Sequence, residues 1–376
     1  MKHSDQAKSL HGIQKNSDKW FLLFYTRATK SRNVRKLSLP DGRNTLKRGF
    51  ALRNLTAAAK KHPEVVVKIP KRHSQNSKGL NGVKNHMAYI SRNGEIGLEN
   101  HLGEELKGIT AINGQLDNWR QIGIPNESKR REALNIVLSM PKYTDPDALL
   151  RAARTFAAEQ FAGHEYVFAL HHHSQREGEP EHPHVHLCVL MQNENQQRLN
   201  PRKGDLFEWR IRFADKLREQ GIECAATNRQ HRGKTQKQPP EKGIGKHYAD
   251  NRTAAERGKE LDQLKSLVEA LAIRRKPGNP FIQQLLETRQ IMVGEYGKIS
   301  RDLYMAGYKA EARLLSKFAR EVAKQPQLTH QQDIYAERFP QQPKPHTEIT
   351  VPTDVHARAR EYEWALRQEN DTGLDI

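Results

Sequence analysis

YVFALHHHSQREGEPEHPHVHLCVLM, residues 166–191, places six histidines in and between two apolar runs. Each run is rich in β-branched or aromatic residues, and the polar segment SQREGEPEHP connects them, which predicts a β-hairpin with strands over 165–172 and 184–191. Residues i and i+2 of a strand point to the same face of a sheet. The stretch therefore predicts an antiparallel sheet with histidines on one face.

The alternation of the two strands selects candidate metal ligands. His184 and His186 present two imidazoles side by side, and the residues between and after them would point into a core. On the first strand the bulky side chains occupy the opposite face, so His171 or His173 is the third ligand, with His172 as the weaker candidate. We favour His171 because it lies on the more regular part of the strand. Three imidazoles can bind a divalent cation, which predicts a metal site.

The flanking sequence predicts further strands and helices of one domain. Asp145 suits a helix N-cap and Pro146 its first turn, and Gly163 would follow its end. The predicted strands are 64–70 and 132–141, and the predicted helices are 79–94, 143–163 and 204–221. Strands paired as hairpins with helices in separate runs favour an α+β fold, with an antiparallel β-sheet flanked by helices.

Composition limits the class of partner. The 376 residues carry a net charge of +19, which favours a polyanion such as nucleic acid. Between Lys30 and Lys61 ten basic residues accompany one acid, Asp41. We expect this basic arm and the helix over 204–221 to hold DNA electrostatically. With only two cysteines, the sequence predicts that no disulfide framework forms, which fits a reducing compartment. We find no signal-peptide pattern and no membrane-spanning segment in the sequence.

Shifts in composition predict five regions. A basic N-terminal arm precedes the sheet domain, and a linker rich in Lys, Gln, Pro and Gly follows it. Apolar residues at helical spacing then predict a C-terminal helical region before a charged tail. The predicted boundaries are 1–62, 63–232, 233–251, 252–325 and 326–376.

One tyrosine stands apart in the helix predicted over 79–94. Its apolar residues recur at helical spacing and form one face: Leu80, Val83, Met87 and Ile90. At about 100° per residue, Tyr89 falls well away from this face. A tyrosine on the polar face is free to reach a site, so Tyr89 is a candidate nucleophile.

These motifs together resemble a known family. The segments EVVVKIP, HMAYISRNG, NIVLSMP and EHPHVHLCVLM, in this order between about residues 64 and 232, resemble the HUH-endonuclease relaxases of conjugative and mobilisable plasmids. The resemblance is to the P-type group, which includes the T-DNA border endonucleases. It implies the relaxase fold, with Tyr89 as nucleophile, His184 and His186 as the HUH pair, and His171 as the first residue of the family's H-x-D element. This sequence has His173 at the aspartate position.

The resemblance also implies a reaction and its setting. Tyr89 would nick one strand at the nic site of a transfer origin, form a 5′-phosphotyrosyl link and later rejoin the strand. Mg²⁺ or Mn²⁺ would serve as cofactor, Arg92 and Lys84 would hold the DNA backbone, and His86 is a candidate for assisting deprotonation of Tyr89. Implied partners are single-stranded and duplex DNA, relaxosome accessory proteins and a type IV secretion coupling protein. The implied location is the bacterial cytoplasm, with transfer into the recipient cell while bound to DNA.

Two alternatives remain open. A rolling-circle replication initiator would carry its tyrosine after the HUH strand, where Tyr296, Tyr304 and Tyr308 occur. A non-catalytic DNA-binding mobilisation protein would use the histidines to hold a structural metal.

Overall fold

The structure, a computed structural model, describes residues 10–22, 46–70, 78–172, 182–233 and 282–325. Its helices are α1 (10–22), α2 (Phe50–Ala59), α3 (Gly79–Ile90), α4 (Gly108–Gln121), α5 (Pro146–Gln160), α6 (Lys203–Glu219), α7 (Ile282–Met305) and α8 (Lys309–Ala323). Its strands are β1 (Val66–Lys68), β2 (Leu98–Asn100), β3 (Glu105–Leu106), β4 (Ala133–Ser139), β5 (Tyr166–His171) and β6 (His184–Leu190). The predicted α+β fold with an antiparallel sheet and C-terminal helices is confirmed.

The six strands form one sheet in the order β1-β4-β6-β5-β2-β3, with antiparallel neighbours. β6 lies near the middle, paired with both β4 and β5, so its seven residues are all buried. The register sets His171 opposite His184 and Ala169 opposite His186. Because directly paired residues share a face, the histidines of the two strands lie together.

The two faces of the sheet pack against different helices. α3 and α4 cover the histidine-bearing face, where Met87 and Trp119 are fully buried in a core that includes Val167. The opposite face packs against α5 and α6 in a larger core that includes Phe156 and Phe213. The site is therefore built between the sheet and α3.

Helix α5 begins as its sequence predicts. The Asp145 side chain accepts a hydrogen bond from the backbone N–H of Asp147 at 3.0 Å, and Pro146 occupies the first turn. Three residues after the helix, Gly163 adopts a left-handed conformation with φ 79°. Asp145 and Pro146 are effective signals because one satisfies and the other removes a backbone donor that the helix N-terminus leaves unpaired, and Gly163 is effective because it adopts the left-handed conformation without a steric cost.

The described parts of the predicted N-terminal arm and of the predicted C-terminal helical region are packed against the sheet domain. Phe21 of α1 stacks on the His231 ring with centroids 4.0 Å apart, and Tyr296 of α7 donates a hydrogen bond to the His231 carbonyl. Phe50 of α2 belongs to the same core. The described parts of the N-terminal arm are thus helical over 10–22 and 50–59, and both helices share the domain's core. Residues 234–281 and the tail from 326 lie outside the described residues, and the boundaries predicted there stay predictions.

Helix α6 does not present the DNA-binding surface that its basic composition predicts. Arg210 pairs with Glu64 at 3.2 Å, Arg218 with Asp215 at 2.8 Å, and Lys216 with Glu159 at 2.6 Å. These cations neutralise acids inside the protein, because α6 lies between β1, α2 and α5 rather than at a free surface. Among the described residues, no helix is long and apolar enough to cross a membrane.

Candidate active site

Three imidazoles meet on the covered face of the hairpin. The ring centroids of His171 and His186 are 4.7 Å apart, those of His184 and His186 are 5.0 Å apart, and those of His171 and His184 are 5.3 Å apart. All three side chains are buried, and one possible ligand nitrogen from each lies within 4.8 Å of the others. These three residues could therefore hold one metal ion.

Hydrogen bonds to backbone carbonyls orient two of the three rings. Nδ1 of His184 donates to the carbonyl oxygen of His182 at 3.0 Å, and Nε2 of His171 donates to the carbonyl oxygen of Ile90 at 2.7 Å. A neutral imidazole that donates from one nitrogen keeps a lone pair on the other. With these bonds, the nitrogens that can serve as ligand atoms are Nε2 of His184 and Nδ1 of His171. In metal sites, backbone carbonyls commonly accept the other N–H of a ligand histidine in the same way.

His186 supplies the clearest test of whether a metal fits. Its ring is buried, and neither nitrogen has a hydrogen-bond partner within the part of the chain that the structure describes. Burial lowers the pKa of His186 to about 2, helped by the neighbouring His171 and His184. The ring is therefore neutral at physiological pH, with a lone pair ready for a cation. Because an unpartnered buried imidazole is unfavourable, a divalent metal fits this donor set.

Helix α3 brings Tyr89 to the cluster. Its apolar stripe packs on the histidine face of the sheet, and its N-terminus is fixed where Gly79, with φ 65°, approaches the carbonyl of Asn126. Tyr89 is 64% exposed, and its ring meets that of His186 edge-on with centroids 5.6 Å apart. The sequence argument placed Tyr89 off the apolar face, and the structure puts its ring beside the histidines.

A fourth imidazole lies beside the phenol. His86, one turn before Tyr89, is buried, with its ring centroid 6.4 Å from that of Tyr89 and 6.4 Å from that of His186. The two rings on α3 are nearly parallel, at 17°. His86 therefore lies at the same distance from Tyr89 as from His186, beside both rings.

The two predicted DNA contacts occupy different positions. Lys84 is exposed on α3. Arg92 is partly exposed and lies in the tight turn after α3, where it adopts φ 50° and its backbone N–H donates to the carbonyl of Tyr89 at 3.2 Å. A left-handed conformation costs a non-glycine residue on the order of 1–2 kcal/mol. The turn therefore keeps Arg92 near Tyr89 in spite of this backbone strain.

His173, the alternative third ligand, lies outside the described residues. His172 is exposed and His182 half-buried; His182 contributes its carbonyl oxygen as the acceptor for His184. The structure thus brings His171 to the HUH pair.

Sequence reasoning missed one cation at the site. Lys68 of β1 lies on the same sheet face as His186, because both residues pair with Val137 of β4. It is exposed, and its charge is among those that lower the pKa of His186 after burial and the neighbouring imidazoles. The strand pattern of EVVVKIP alone could not have indicated Lys68, since only the pairing order shows that β1 lies next to β4.

Comparison with known families agrees with the geometry. Residues 89–222 match the family described as relaxase, MobA/VirD2-like, nuclease domain. None of the curated proteins matches this sequence. The matched segment starts at Tyr89, contains all three clustered histidines and ends just after α6. Over residues 89–222 this chain is therefore similar to the nuclease domain of the MobA/VirD2-like relaxases.

Proposed function

We propose that the protein is a relaxase that nicks one DNA strand at the nic site of a plasmid transfer origin by tyrosine transesterification. A DNA-nicking relaxase is what the family match supports in general terms. One observation carries the finer proposal: the exposed Tyr89 ring lies 5.6 Å from the ring of buried His186. A nucleophile open to solvent beside a metal site is the arrangement that attack on a bound phosphodiester requires.

His171, His184 and His186 would hold Mg²⁺ or Mn²⁺. A divalent cation at this position would neutralise charge on the non-bridging oxygens of the scissile phosphate. The rings of His171 and His184 are held by backbone carbonyls, so the donor set keeps its arrangement without the ion.

Tyr89 would carry the bond exchange. Its phenolic oxygen bonds to phosphorus while the bond from phosphorus to the 3′ oxygen breaks, which leaves a free 3′-OH and a 5′-phosphotyrosyl link. The phenolic proton leaves and the 3′ oxygen takes up a proton, so charge and atoms balance. One phosphodiester replaces another, so the same tyrosine can later rejoin the strand.

Neighbouring residues of this chain would assist. An ordinary phenol has a pKa of about 10, so its proton needs an acceptor, and we assign this role to His86 beside Tyr89. Arg92 and Lys84 would bind phosphates of the single strand. The exposed Lys68 of β1, on the same sheet face as His186, adds a further positive charge.

Tyr89→Phe is the first test of this proposal. With Mn²⁺ and single-stranded oligonucleotides that cover a candidate transfer origin, the variant is expected to lose nicking and the covalent adduct, because no other atom replaces the phenolic oxygen. Tyr143→Phe is the matched control, since Tyr143 is 94% exposed and lies in the loop after β4. A Tyr89→Phe protein that still forms the adduct would overturn the assignment.

One further variant and one chelation experiment separate the alternatives. Tyr296 is fully buried, but Tyr304 is half-exposed, so loss of the adduct in Tyr304→Phe would favour a replication initiator. If EDTA stops cleavage and leaves the far-ultraviolet circular dichroism unchanged, the metal is catalytic. If EDTA melts the fold, the metal is structural and the non-catalytic alternative gains.

Conjugative transfer is the proposed setting. Proposed partners beyond the origin DNA are relaxosome accessory proteins and a type IV secretion coupling protein. The proposed location is the bacterial cytoplasm, followed by transfer to the recipient in covalent linkage with the strand. Tyr89, which would remain bound to the 5′ end of the nicked strand, is the residue that links the chemistry to this transport.

A further inference from the structure

Helix α8 carries a continuous row of exposed cations. Five basic residues recur at spacings of three and four: Lys309, Arg313, Lys317, Arg320 and Lys324, the last at the helix C-cap. At about 100° per residue they fall within an arc of about 80°, on one side of the helix. We call these five residues the α8 stripe.

The α8 stripe is not neutralised within the protein. Over the residues that the structure describes, none of the five forms an ion pair, although Lys309 lies 5.9 Å above the ring of Tyr304. The two acids of α8 do not interrupt the row. Glu311 is on another side of the helix. Glu321, at the edge of the row, pairs with Lys61, which follows α2, and also interacts electrostatically with Lys317 of the stripe.

The stripe is unfavourable for an isolated helix. Like charges at i,i+3 and i,i+4 destabilise a helix, and the α8 stripe contains four such neighbouring pairs along its length. A cation in the first turn, such as Lys309, also opposes the helix dipole. A bound polyanion would relieve both effects.

Other surface helices of the domain show a different pattern. Arg120 of α4 pairs with Asp117, Arg154 of α5 pairs with Glu99 of β2, and Lys298 of α7 pairs with Glu295. Opposite charges alternate on those surfaces, as is usual for solvated helices. The unmixed row on α8 is therefore not the general consequence of a basic composition.

We propose that the α8 stripe binds the phosphate backbone of duplex DNA. The row is about 22 Å long at about 1.5 Å per residue, and a duplex presents on the order of ten phosphate charges over that length. The half-exposed ring of Tyr304 lies beside Lys309 at one end of the α8 stripe, but the five residues of the row are all cations, whereas stacking along a single strand would need aromatic side chains in succession. The apolar face of α8, with Leu315, Phe318 and Val322, is buried in the core, so the helix has no free apolar face to insert into a membrane.

The surface is separate from the candidate active site. α8 packs into the larger core, with α7 and α2, whereas Tyr89 and the three histidines belong to the side of the sheet covered by α3 and α4. Duplex binding by α8 does not depend on the chemistry of Tyr89. It would hold paired DNA on a surface distinct from the one where nicking is proposed.

The test uses the full chain with a labelled blunt duplex of about 30 base pairs and a labelled single strand of the same length. Fluorescence anisotropy measures the dissociation constants of both at several salt concentrations. The variant is Arg313→Gln, Lys317→Gln and Arg320→Gln together. The matched control replaces Lys129, Arg130 and Arg131, three exposed loop cations before β4, with Gln.

Loss of three phosphate contacts should lower the slope of log K against log salt by about 2.7 and weaken duplex binding up to about 500-fold at about 0.1 M salt. The control should change the slope by less than half as much, and Arg313→Lys with Arg320→Lys should keep the parent slope because it keeps the charge. Gln is a good helix former, and circular dichroism verifies the fold.

Three results would overturn the proposal. One is an unchanged duplex slope in the α8 variant. Another is an equal loss in the loop control, which would show a non-specific effect of net charge. The third is a loss confined to the single strand, or to vesicles containing phosphatidylserine tested in parallel, which would assign the stripe to another polyanion.

Discussion

Acid should destabilise the metal-free protein through His186 in particular. Burial, with help from the neighbouring imidazoles, lowers the pKa of His186 from 6.5 to about 2. The unfolded chain therefore binds a proton at this residue below about pH 6.5 that the folded protein does not bind. The contribution of neutral His186 to the free energy of unfolding is therefore fully present above about pH 6.5. It is lost progressively as the pH falls toward the pKa of His186 in the folded protein.

The size of the effect follows from the pKa difference. At about pH 4.5, roughly two pH units below the unfolded pKa, His186 lowers the free energy of unfolding by about 2.7 kcal/mol relative to neutral pH. Leu at this position cannot be protonated. It also removes a buried imidazole whose nitrogens have no partner among the described residues, so the metal-free variant should be more stable than the parent by about 1–3 kcal/mol even at neutral pH.

Urea unfolding in EDTA at the two pH values measures both quantities for the parent, His186→Leu and His172→Leu. His172 is the matched control, because it is an exposed imidazole at the end of the same hairpin strand as His171. The stability advantage of His186→Leu should grow by about 2.7 kcal/mol on acidification, while the difference between the parent and His172→Leu should stay constant. If the parent and His186→Leu lose equal stability, His186 is not the buried neutral imidazole that the site requires.

Three further predictions concern the turn after α3, the metal ligands and the DNA path. Gly94→Ala should destabilise the protein by about 2–4 kcal/mol, since Gly94 has φ 89° and an added Cβ would lie 2.8 Å from the backbone nitrogen of Ile109. Gly103 has φ 83° with open space around it, so Gly103→Ala is the control and should destabilise the protein by only about 1–2 kcal/mol. Thermal or urea unfolding measures both changes. Mn²⁺ at about 100 times its dissociation constant should stabilise the parent by about 2.7 kcal/mol and leave His184→Ala unchanged in a thermal scan; equal stabilisation of both would place the ion elsewhere. Lys68→Gln should lower the salt slope of single-strand binding by about 0.7, and an unchanged slope would remove Lys68 from the DNA path.

The hairpin and α5 could be predicted from sequence because their signals are local. Asp145 caps α5 through its own side chain, and alternation alone assigns His184 and His186 to one face. The short strands β2 and β3 and the helix α4 were not predicted. Strands of two or three residues are too short to show alternation, and α4 contains Gly108 and Gly114, which weaken its helical pattern.

Long-range contacts explain what else the sequence could not predict. Nothing near Phe21 in the chain indicates that it stacks on His231, and nothing near Arg210 indicates that it pairs with Glu64. The carbonyl of Ile90, which accepts the hydrogen bond from His171, carries no sequence signal at all because every residue has one. Local patterns thus identified the candidate site residues, and tertiary packing decides how their side chains are oriented.

The most direct test of the central claim is to identify the residue that becomes linked to DNA. After incubation with Mn²⁺ and a single-stranded origin oligonucleotide, proteolysis and mass spectrometry of the adduct locate the linkage. The account predicts a phosphodiester between Tyr89 and the 5′ end of the released strand. A linkage at Tyr304 or another residue, or a cut strand with no covalent protein, would contradict it.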